Sequence, residues 1–410
     1  MRLDLQYGDS TQPVEIPDRN LLGVLKPNVA RPTQNISAEL AGAASAAKQF
    51  VGGCSRILVL VNDYTRPTPN SLLLSALEPV LAGRNVRYMV CLGTHRPPTD
   101  AELAGIFGPE FLTAHRDQVI WHDCKDRNHL FFKGKTSFGT DVWFAKELLW
   151  PDCIIALNSI EPHYFAGFTG GRKTFLPGAA GYDTICQNHN MVTHEKSLPF
   201  SLEGNPVHDD MAEAARMLVR PVFSVQVVLD ARHEVFSLYC GDLEETLRLG
   251  AMDSRHVYEL PVQEKADIVL SVLPAPYDIN FYQSQRAVEF ARGVLKSPSV
   301  QITVSACREG VGNDGFIQVF RNCKSPSGAL SGGSAGHLLG WHKAARLARI
   351  METTELYTVM GIADDVVRSA FMRPFPSAQA ALGAALARLG SDARVYVIPD
   401  AAAVVPVLEK

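Results

Sequence analysis

Residues 55–67, SRILVLVNDYTRP, set the fold of this chain. An uninterrupted apolar run ends abruptly at Asn62 and Asp63, and turn-forming residues follow it. Short apolar runs bounded by turn signals are typical of strands that are buried on both faces of a parallel sheet. Because ligands bind beyond the carboxyl ends of such strands, the polar residues after this run predict one edge of a binding site.

Two further stretches repeat this pattern. Residues 86–97, VRYMVCLGTHRP, place His95 after an apolar run, and residues 152–163, DCIIALNSIEPH, place His163 after another. The carboxyl ends of parallel strands meet at the same edge of a sheet. The sequence therefore predicts that Asp63, His95 and His163 face one cleft.

Strands and helices alternate in both halves of the chain. This alternation predicts an α/β protein of two lobes, with mainly parallel sheets and an active-site cleft between the domains. A change in composition near residue 260 places the boundary between an N-terminal domain over 1–260 and a C-terminal domain over 261–410. The Gly/Ser-rich run at 327–336 is typical of a mobile loop.

Composition excludes several classes of protein. The 410 residues are 46% hydrophobic with a formal net charge of −4, so we expect a globular chain without a nucleic-acid partner. No apolar run reaches the ~20 residues that span a bilayer, and the N-terminus lacks an apolar signal core, which predicts a cytoplasmic protein without membrane association. The eight cysteines form no C-x-x-C pair, which argues against a thiolate zinc site and a secreted disulfide scaffold.

Residues 161–189, EPHYFAGFTGGRKTFLPGAAGYDTICQNH, carry the densest chemistry in the chain. Their five glycines allow the main chain to approach a bound group closely, which suits a large flat ligand. Lys173 follows a Gly-Gly-Arg turn, a position that suits a lysine meeting an anion or a reactive carbon. The chain has neither G-x-G-x-x-G after its first strand nor the P-loop spacing, which disfavours a conventional NAD enzyme and a P-loop NTPase.

These stretches together resemble the nickel-dependent lactate racemase family, whose members use a nickel-pincer nucleotide. The similarity covers nearly the whole chain and is strongest in PHYFAGFTGGRK, LPG and NH within 161–189. It is supported by DYTRP at 63–67, LGTHRP at 92–97 and YQSQR at 282–286. The resemblance implies racemisation or epimerisation of a 2-hydroxy acid by reversible hydride transfer to the cofactor.

The resemblance also implies how the cofactor is held. In the family, the lysine of the GGRK motif carries pyridinium-3-thioamide-5-thiocarboxylic acid mononucleotide covalently, and that lysine corresponds to Lys173. A histidine that corresponds to His189 is the protein ligand of the nickel, whose other donors come from the pincer. The enzymes that synthesise the cofactor are therefore expected partners. The other residues expected to contact the cofactor are Asp63, Thr65, Gly170 and Gly171.

The same resemblance implies the acid–base and substrate-binding residues. His95 and His163 correspond to two opposed bases, and imidazole exchanges protons in both directions near neutrality. Arg66 is expected to assist catalysis. Lactate-specific members usually carry lysine at the position of Arg286, so a larger acid such as malate is also a candidate substrate. The residues expected to bind the substrate are Arg66, Tyr282, Gln283 and Arg286.

Two other functions are compatible with the same residues. One is a metal-dependent hydrolase that binds zinc through these histidines, and the other is a non-catalytic protein that binds a nucleotide-like ligand. Lys173 and His189 have defined roles only in the racemase interpretation, which is therefore favoured. The other nine histidines are predicted to be surface or structural residues. The sequence leaves open the acid and the oligomeric state, whether monomer or homo-oligomer.

Overall fold

The computed structural model of the chain describes residues 1–28, 32, 34–330 and 340–409. The chain divides into two compact units. Val29–Val257 form the Lys173 unit, and Met1–Asn28 with Tyr258–Lys410 form the Arg286 unit. The predicted N-terminal domain over 1–260 includes the first segment, whereas in the structure Met1–Asn28 belong to the Arg286 unit. The physical reason is that the strand Leu21–Val24 pairs in parallel with Val395–Ile398, at the edge of the second sheet.

The Lys173 unit is built on a six-stranded sheet. All neighbouring strands are parallel except the edge pair of Val222–Leu229 with Val235–Gly241. The three strands that the sequence predicts from residues 55–67, 86–97 and 152–163 are direct neighbours, so their carboxyl ends share one edge. In spatial order, the strands are Val235–Gly241, Val222–Leu229, Cys153–Ser159, Arg56–Asn62, Asn85–Cys91 and Val119–Trp121.

Helices and two hairpins complete this unit. Ala43 and Leu77, from two of the helices, pack with Val59 of the sheet in one hydrophobic core. Local sequence fixes where helices begin: the hydroxyl of Thr99 and the side chain of Glu102 form a reciprocal capping box. The helices are Ile36–Phe50, Asn70–Leu81, Asp100–Phe107, Pro109–His115, Tyr182–His189, Pro206–Arg216 and Leu243–Tyr258. The antiparallel hairpins pair Leu130–Lys135 with Asp141–Ala145 and Pro162–His163 with Gly167–Phe168.

The Arg286 unit has a six-stranded sheet in which every pair of neighbours is parallel. In spatial order, its strands are Arg373–Pro374, Thr354–Met360, Leu295–Ser305, Ala266–Val272, Val395–Ile398 and Leu21–Val24. Two smaller sheets pair Arg2–Tyr7 with Ser10–Glu15 and Glu259–Val262 with Val405–Leu408. The helices are Phe281–Ala291, Asp314–Arg321, Trp341–Met351, Asp364–Ser369 and Ala378–Leu389. The predicted α/β class with mainly parallel sheets is confirmed.

Three smaller findings concern predictions from sequence. Most of the predicted loop at 327–336 lies outside the described residues, and Pro326–Ala329 forms a short 3-10 helix. Cys54 and Cys153 form a disulfide between the starts of two neighbouring strands, with their Cα atoms 6.2 Å apart, a pair that the sequence did not predict. Among the helices that the structure describes, none is both long and apolar enough to cross a bilayer.

Gly167 offers a test of the hairpin that carries His163. Its φ is +76°, and a Cβ at this position would lie 2.2 Å from the carbonyl oxygen of Ser201. Gly167→Ala is therefore expected to lower the free energy of unfolding by roughly 2–4 kcal/mol, measured by urea denaturation.

Gly42→Ala is the matched control, because Gly42 lies within a helix and faces open space. This change is expected to raise the free energy of unfolding by roughly 0.5–1 kcal/mol. Equal stabilities of Gly167→Ala and the wild type would contradict the hairpin geometry.

Candidate active site

Buried polar side chains tie the strand ends to the glycine-rich segment. The amide of Asn158 donates to Oδ1 of Asn62 at 3.0 Å, which joins two neighbouring strands. The hydroxyl of Thr174 donates to Oδ1 of Asn158 at 2.7 Å. Because Thr174 follows Lys173 directly, these bonds fix the main chain beside the predicted anchor lysine.

Asp63 and His95 form a hydrogen-bonded pair through Oδ2 and Nδ1. Oδ1 of Asp63 accepts two further bonds from Thr65, from its main-chain N–H at 3.0 Å and its hydroxyl at 2.7 Å. Burial raises the pKa of Asp63, but the charge and hydrogen bond of His95, with the charge of Arg66, outweigh it and hold this pKa below its ordinary value. When His95 is neutral, its Nδ1–H therefore donates a hydrogen bond to the ionised carboxylate, which leaves Nε2 as a proton acceptor.

Phe165 gathers three of the predicted residues around one buried ring. The ring centroids of His163 and His189 lie 4.4 and 5.1 Å from that of Phe165. Nζ of Lys173 lies 5.7 Å from the same centroid. In the sequence, Phe165 is marked only by its place between His163 and the glycines. An aromatic ring at this point positions the lysine and both histidines at once.

His163 differs from His95 in the hydrogen bond that its Nδ1 makes. The main-chain N–H of Ala166 donates to Nδ1 of His163 at 3.3 Å, and the ring stacks on Tyr164 at 4.9 Å between centroids. Since Nδ1 accepts in this bond, a neutral His163 carries its proton on Nε2. In the neutral forms, Nε2 of His95 can accept a proton, whereas Nε2 of His163 carries an N–H that can donate a hydrogen bond.

His189 ends the helix Tyr182–His189 and is 8% exposed. The amide nitrogen of its neighbour Asn188 donates to the main chain of Val207 at 3.1 Å and to Asp210 at 2.8 Å, which fixes the orientation of that amide. Oδ1 of Asn188 therefore faces Nδ1 of His189, at 3.1 Å, as an acceptor. This bond places the proton on Nδ1 and leaves Nε2 with a lone pair that suits a metal ligand.

Lys173 lies in an environment that favours its neutral amine. Burial lowers its pKa well below the ordinary 10.5, and the charges of Arg172 and Arg66 lower it further. Gly170 and Gly171, both with positive φ, form the turn that directly precedes Arg172 and Lys173. A neutral amine is the nucleophilic form of lysine, so this position suits covalent attachment of an electrophilic group.

The loop that carries His95 meets the turn that follows Lys173. The N–H of Gly93 donates to the carbonyl of Gly178 at 3.1 Å. A Cβ at Gly178 would lie 2.9 Å from that of Cys91, so glycine permits this approach. Arg66 also influences the pKa values of both Asp63 and Lys173. The predicted residues of the Lys173 unit therefore form one group.

The other predicted residues lie on the helix Phe281–Ala291 of the Arg286 unit. The guanidinium of Arg286 lies 4.9 Å from the ring centroid of Tyr277 and 5.4 Å from that of Phe290. Gln283 lies in the first turn of the helix, where its N–H donates to the Asn280 cap at 2.9 Å.

Two buried residues that the sequence did not single out position Tyr282. Nζ of Lys343 lies 3.6 Å from the ring centroid of Tyr282 and donates to its carbonyl at 2.5 Å. Nε2 of His342 lies 3.5 Å from the Tyr282 hydroxyl. Both belong to the helix Trp341–Met351, and no local motif marks them.

Protein ligands for a metal are few. Within the part of the chain that the structure describes, no group of three or more His, Cys, Asp and Glu side chains is arranged to hold a metal ion.

Comparisons with known proteins agree with one another. Residues 7–199 match the family model described as the lactate racemase N-terminal domain, and residues 262–406 match the lactate racemase C-terminal domain. The chain is 27% identical to the lactate racemase of Thermoanaerobacterium thermosaccharolyticum, over 98% of each chain. It is 28% identical to that of Lactiplantibacillus plantarum, over 98% of this chain and 99% of the relative.

The fold of this chain is similar to those of solved structures. The lactate racemase apoprotein from T. thermosaccharolyticum superposes with a TM-score of 0.88 at 26% identity, over all of both chains. A Thermotoga maritima protein superposes with a TM-score of 0.72 at 16% identity, over 91% of this chain and 98% of that one, a likeness of fold alone.

The lowered pKa of Lys173 predicts its reactivity. Labelling with limiting acetic anhydride, quantified by peptide mass spectrometry across a pH series, should reach half its maximum for Lys173 well below pH 10.5. Exposed Lys48 serves as the reactivity standard. Arg66→Met should raise the pKa of Lys173 and move its midpoint to higher pH, because one positive charge is removed. A Lys173 midpoint at or above 10.5 would contradict this environment.

Proposed function

Because the chain belongs to the lactate racemase family, we propose that it is an isomerase that racemises or epimerises a 2-hydroxy acid with a nickel-pincer nucleotide on Lys173. The observation that carries this proposal is the position of Lys173. Its pKa is lowered by burial and by Arg172 and Arg66, and it lies in one group with His95 and His163. A lysine whose amine becomes neutral at a lower pH than that of an ordinary lysine suits covalent attachment of the cofactor.

The residues present fit the cofactor. Lys173 would carry the pyridinium-3-thioamide-5-thiocarboxylic acid mononucleotide through a thioamide bond, and Nε2 of His189 would be the protein ligand of nickel. One protein nitrogen suits a metal whose remaining donors belong to the cofactor. When bound, the cofactor supplies a reversible acceptor for the substrate's Cα hydride. Gly170 and Gly171, with positive φ, would let the main chain approach it.

The two histidines supply the proton transfers. Nε2 of His95 would accept the hydroxyl proton of one stereoisomer, while the ionised Asp63 stabilises the imidazolium that forms. On the other face, the imidazolium form of His163 would donate its Nε2 proton to the carbonyl oxygen when the keto acid is reduced, which returns the ring to its neutral form. The roles exchange in the reverse direction. Asp63 and Thr65, expected as cofactor contacts, would therefore act chiefly by orienting His95.

Arginine side chains would bind the substrate's carboxylate. Arg66 influences the pKa values of both Asp63 and Lys173, so it is the cation proposed to act in catalysis and in carboxylate binding. Arg286 offers a planar donor array that also suits a larger acid such as malate. The relatives' names support lactate as the first substrate to test. Tyr282 and Gln283 complete the proposed substrate-binding set.

The cofactor proposal predicts a covalent adduct. Protein that is co-expressed with the cofactor-synthesis enzymes should gain the mass of the cofactor in intact-mass spectra, and Lys173→Ala should lose both this adduct and racemase activity. Lys48→Ala, at an exposed lysine, should keep both. His189→Ala should keep the adduct but lose nickel. A fully active Lys173→Ala protein, or turnover with zinc and no adduct, would exclude the proposal and favour a hydrolase.

The reaction predicts retention of the Cα hydrogen. Racemisation of lactate in deuterated water, followed by chiral chromatography and mass spectrometry, should give product that keeps its Cα hydrogen, because hydride is transferred and returned. Wholesale deuterium incorporation at Cα would instead indicate deprotonation.

The Asp63–His95 pair predicts a specific loss of turnover. Asp63→Asn presents an amide that can donate to Nδ1, so Nε2 of His95 becomes protonated and cannot act as base. We expect kcat to fall by roughly 10²–10⁴. Asp152→Asn, which alters a half-buried aspartate paired with Arg56 outside the proposed site, is the control and should leave kcat unchanged. Near-wild-type kcat in Asp63→Asn would remove His95 from the proposed role.

A further inference from the structure

A cavity whose lining contains none of the residues proposed for catalysis lies in the Lys173 unit. Its volume is about 440 Å³, within the range of pockets that hold small organic ligands. It is lined by three separate segments: residues 124–130, Trp143 of the second hairpin strand, and the segment that begins the helix Tyr182–His189. The function proposed above uses none of its lining residues.

Main-chain hydrogen bonds hold these segments together. The N–H of Gly181 donates to the carbonyl of Trp143 at 2.8 Å, and that of Tyr182 donates to the carbonyl of Cys124 at 2.9 Å. A Cβ at Gly181 would lie 2.7 Å from Cδ1 of Leu130 and 3.2 Å from Cβ of Trp143, so glycine favours this close approach. The cavity is therefore a built feature of the fold, with a fixed floor.

The walls combine aromatic rings with cations. Trp143 is 39% exposed, and it lines the cavity together with Tyr182. Arg127 and Asp183 form an ion pair at 2.6 Å, so their charges offset one another. Lys125 brings a further positive charge to the rim, with Nζ 5.9 Å from the ring centroid of Tyr182.

We propose that this cavity binds a flat aromatic ring that bears one anionic group, a carboxylate or a phosphate. The ring would pack against Trp143 and Tyr182, and the anion would pair with Lys125. Gly181 and Tyr182 form the floor of the cavity and begin the helix that ends at His189. A bound ligand would therefore stabilise the segment between Lys173 and His189.

Isothermal titration of the purified chain tests the proposal with four probes. Adenosine 5′-monophosphate and indole-3-acetate carry a ring with a phosphate or a carboxylate, whereas adenosine and inorganic phosphate each lack one half of the ligand. At least one of the two anionic ring compounds should bind clearly more tightly than adenosine, and inorganic phosphate should not bind measurably. The tighter of the two identifies the anionic group. Equal binding of adenosine 5′-monophosphate and inorganic phosphate would overturn the proposal.

Variants test whether the compounds bind in this cavity and not elsewhere. Lys125→Ala should weaken binding of the anionic ring compound about tenfold, because one charge pair is lost, and should leave the affinity for adenosine unchanged. Trp143→Ala should weaken binding of both the anionic ring compound and adenosine by about tenfold or more. Trp143→Phe, which keeps a ring and preserves packing, should retain most of the affinity, so a folding defect in Trp143→Ala cannot be mistaken for loss of the site.

The matched controls are Trp121→Ala and Lys48→Ala, at an equally exposed tryptophan outside the cavity and at an exposed lysine. Both should bind as the wild type does, and so should Lys173→Ala. Binding that is unchanged in Lys125→Ala and Trp143→Ala, or that is lost in Lys173→Ala, would place the ligand elsewhere and overturn the proposal. Absence of binding by both anionic ring compounds would also overturn it.

Discussion

The site depends on the hydrogen bonds between the buried guanidinium of Arg172 and main-chain carbonyls of the glycine-rich segment. The residue is 1% exposed, and its guanidinium donates to the carbonyls of Ala166, Thr169 and Gly170 at 2.6, 3.3 and 3.2 Å. A buried charge costs several kcal/mol unless polar groups surround it, and carbonyl dipoles reduce that cost here. Burial still lowers the pKa of Arg172 to about 9. The same charge closes the glycine-rich turn and helps to keep Lys173 neutral.

The three histidines show how hydrogen bonds to one ring nitrogen assign the function of the other. A carboxylate faces Nδ1 of His95, a main-chain N–H faces Nδ1 of His163, and an amide oxygen faces Nδ1 of His189. These partners leave an acceptor, a donor and a metal-binding lone pair on the three Nε2 atoms. Before any substrate binds, the neutral pair offers a base at Nε2 of His95 and an N–H hydrogen-bond donor at Nε2 of His163.

Much of the fold was predictable because its signals are local. Apolar runs such as residues 55–61 identify buried strands, and polar residues at their ends identify the functional edge of a parallel sheet. The strand Leu21–Val24 lacked such a signal, since its partner lies more than 370 residues later in the chain. Its assignment to the Arg286 unit, and the disulfide between Cys54 and Cys153, follow from long-range pairing that no short window of sequence contains.

The sequence by itself determined the α/β class and the motifs that mark Lys173, His95, His163 and His189, because each motif is a short run of specific residue types. Only the tertiary structure decided the positions, the tautomers and the pKa shifts of these residues. The ring of Phe165 gathers the lysine and two histidines, Asn188 orients His189, and Lys343 packs on Tyr282. Such effects arise from burial, charge and hydrogen-bond direction between neighbouring side chains, which the order of residues along the chain does not specify.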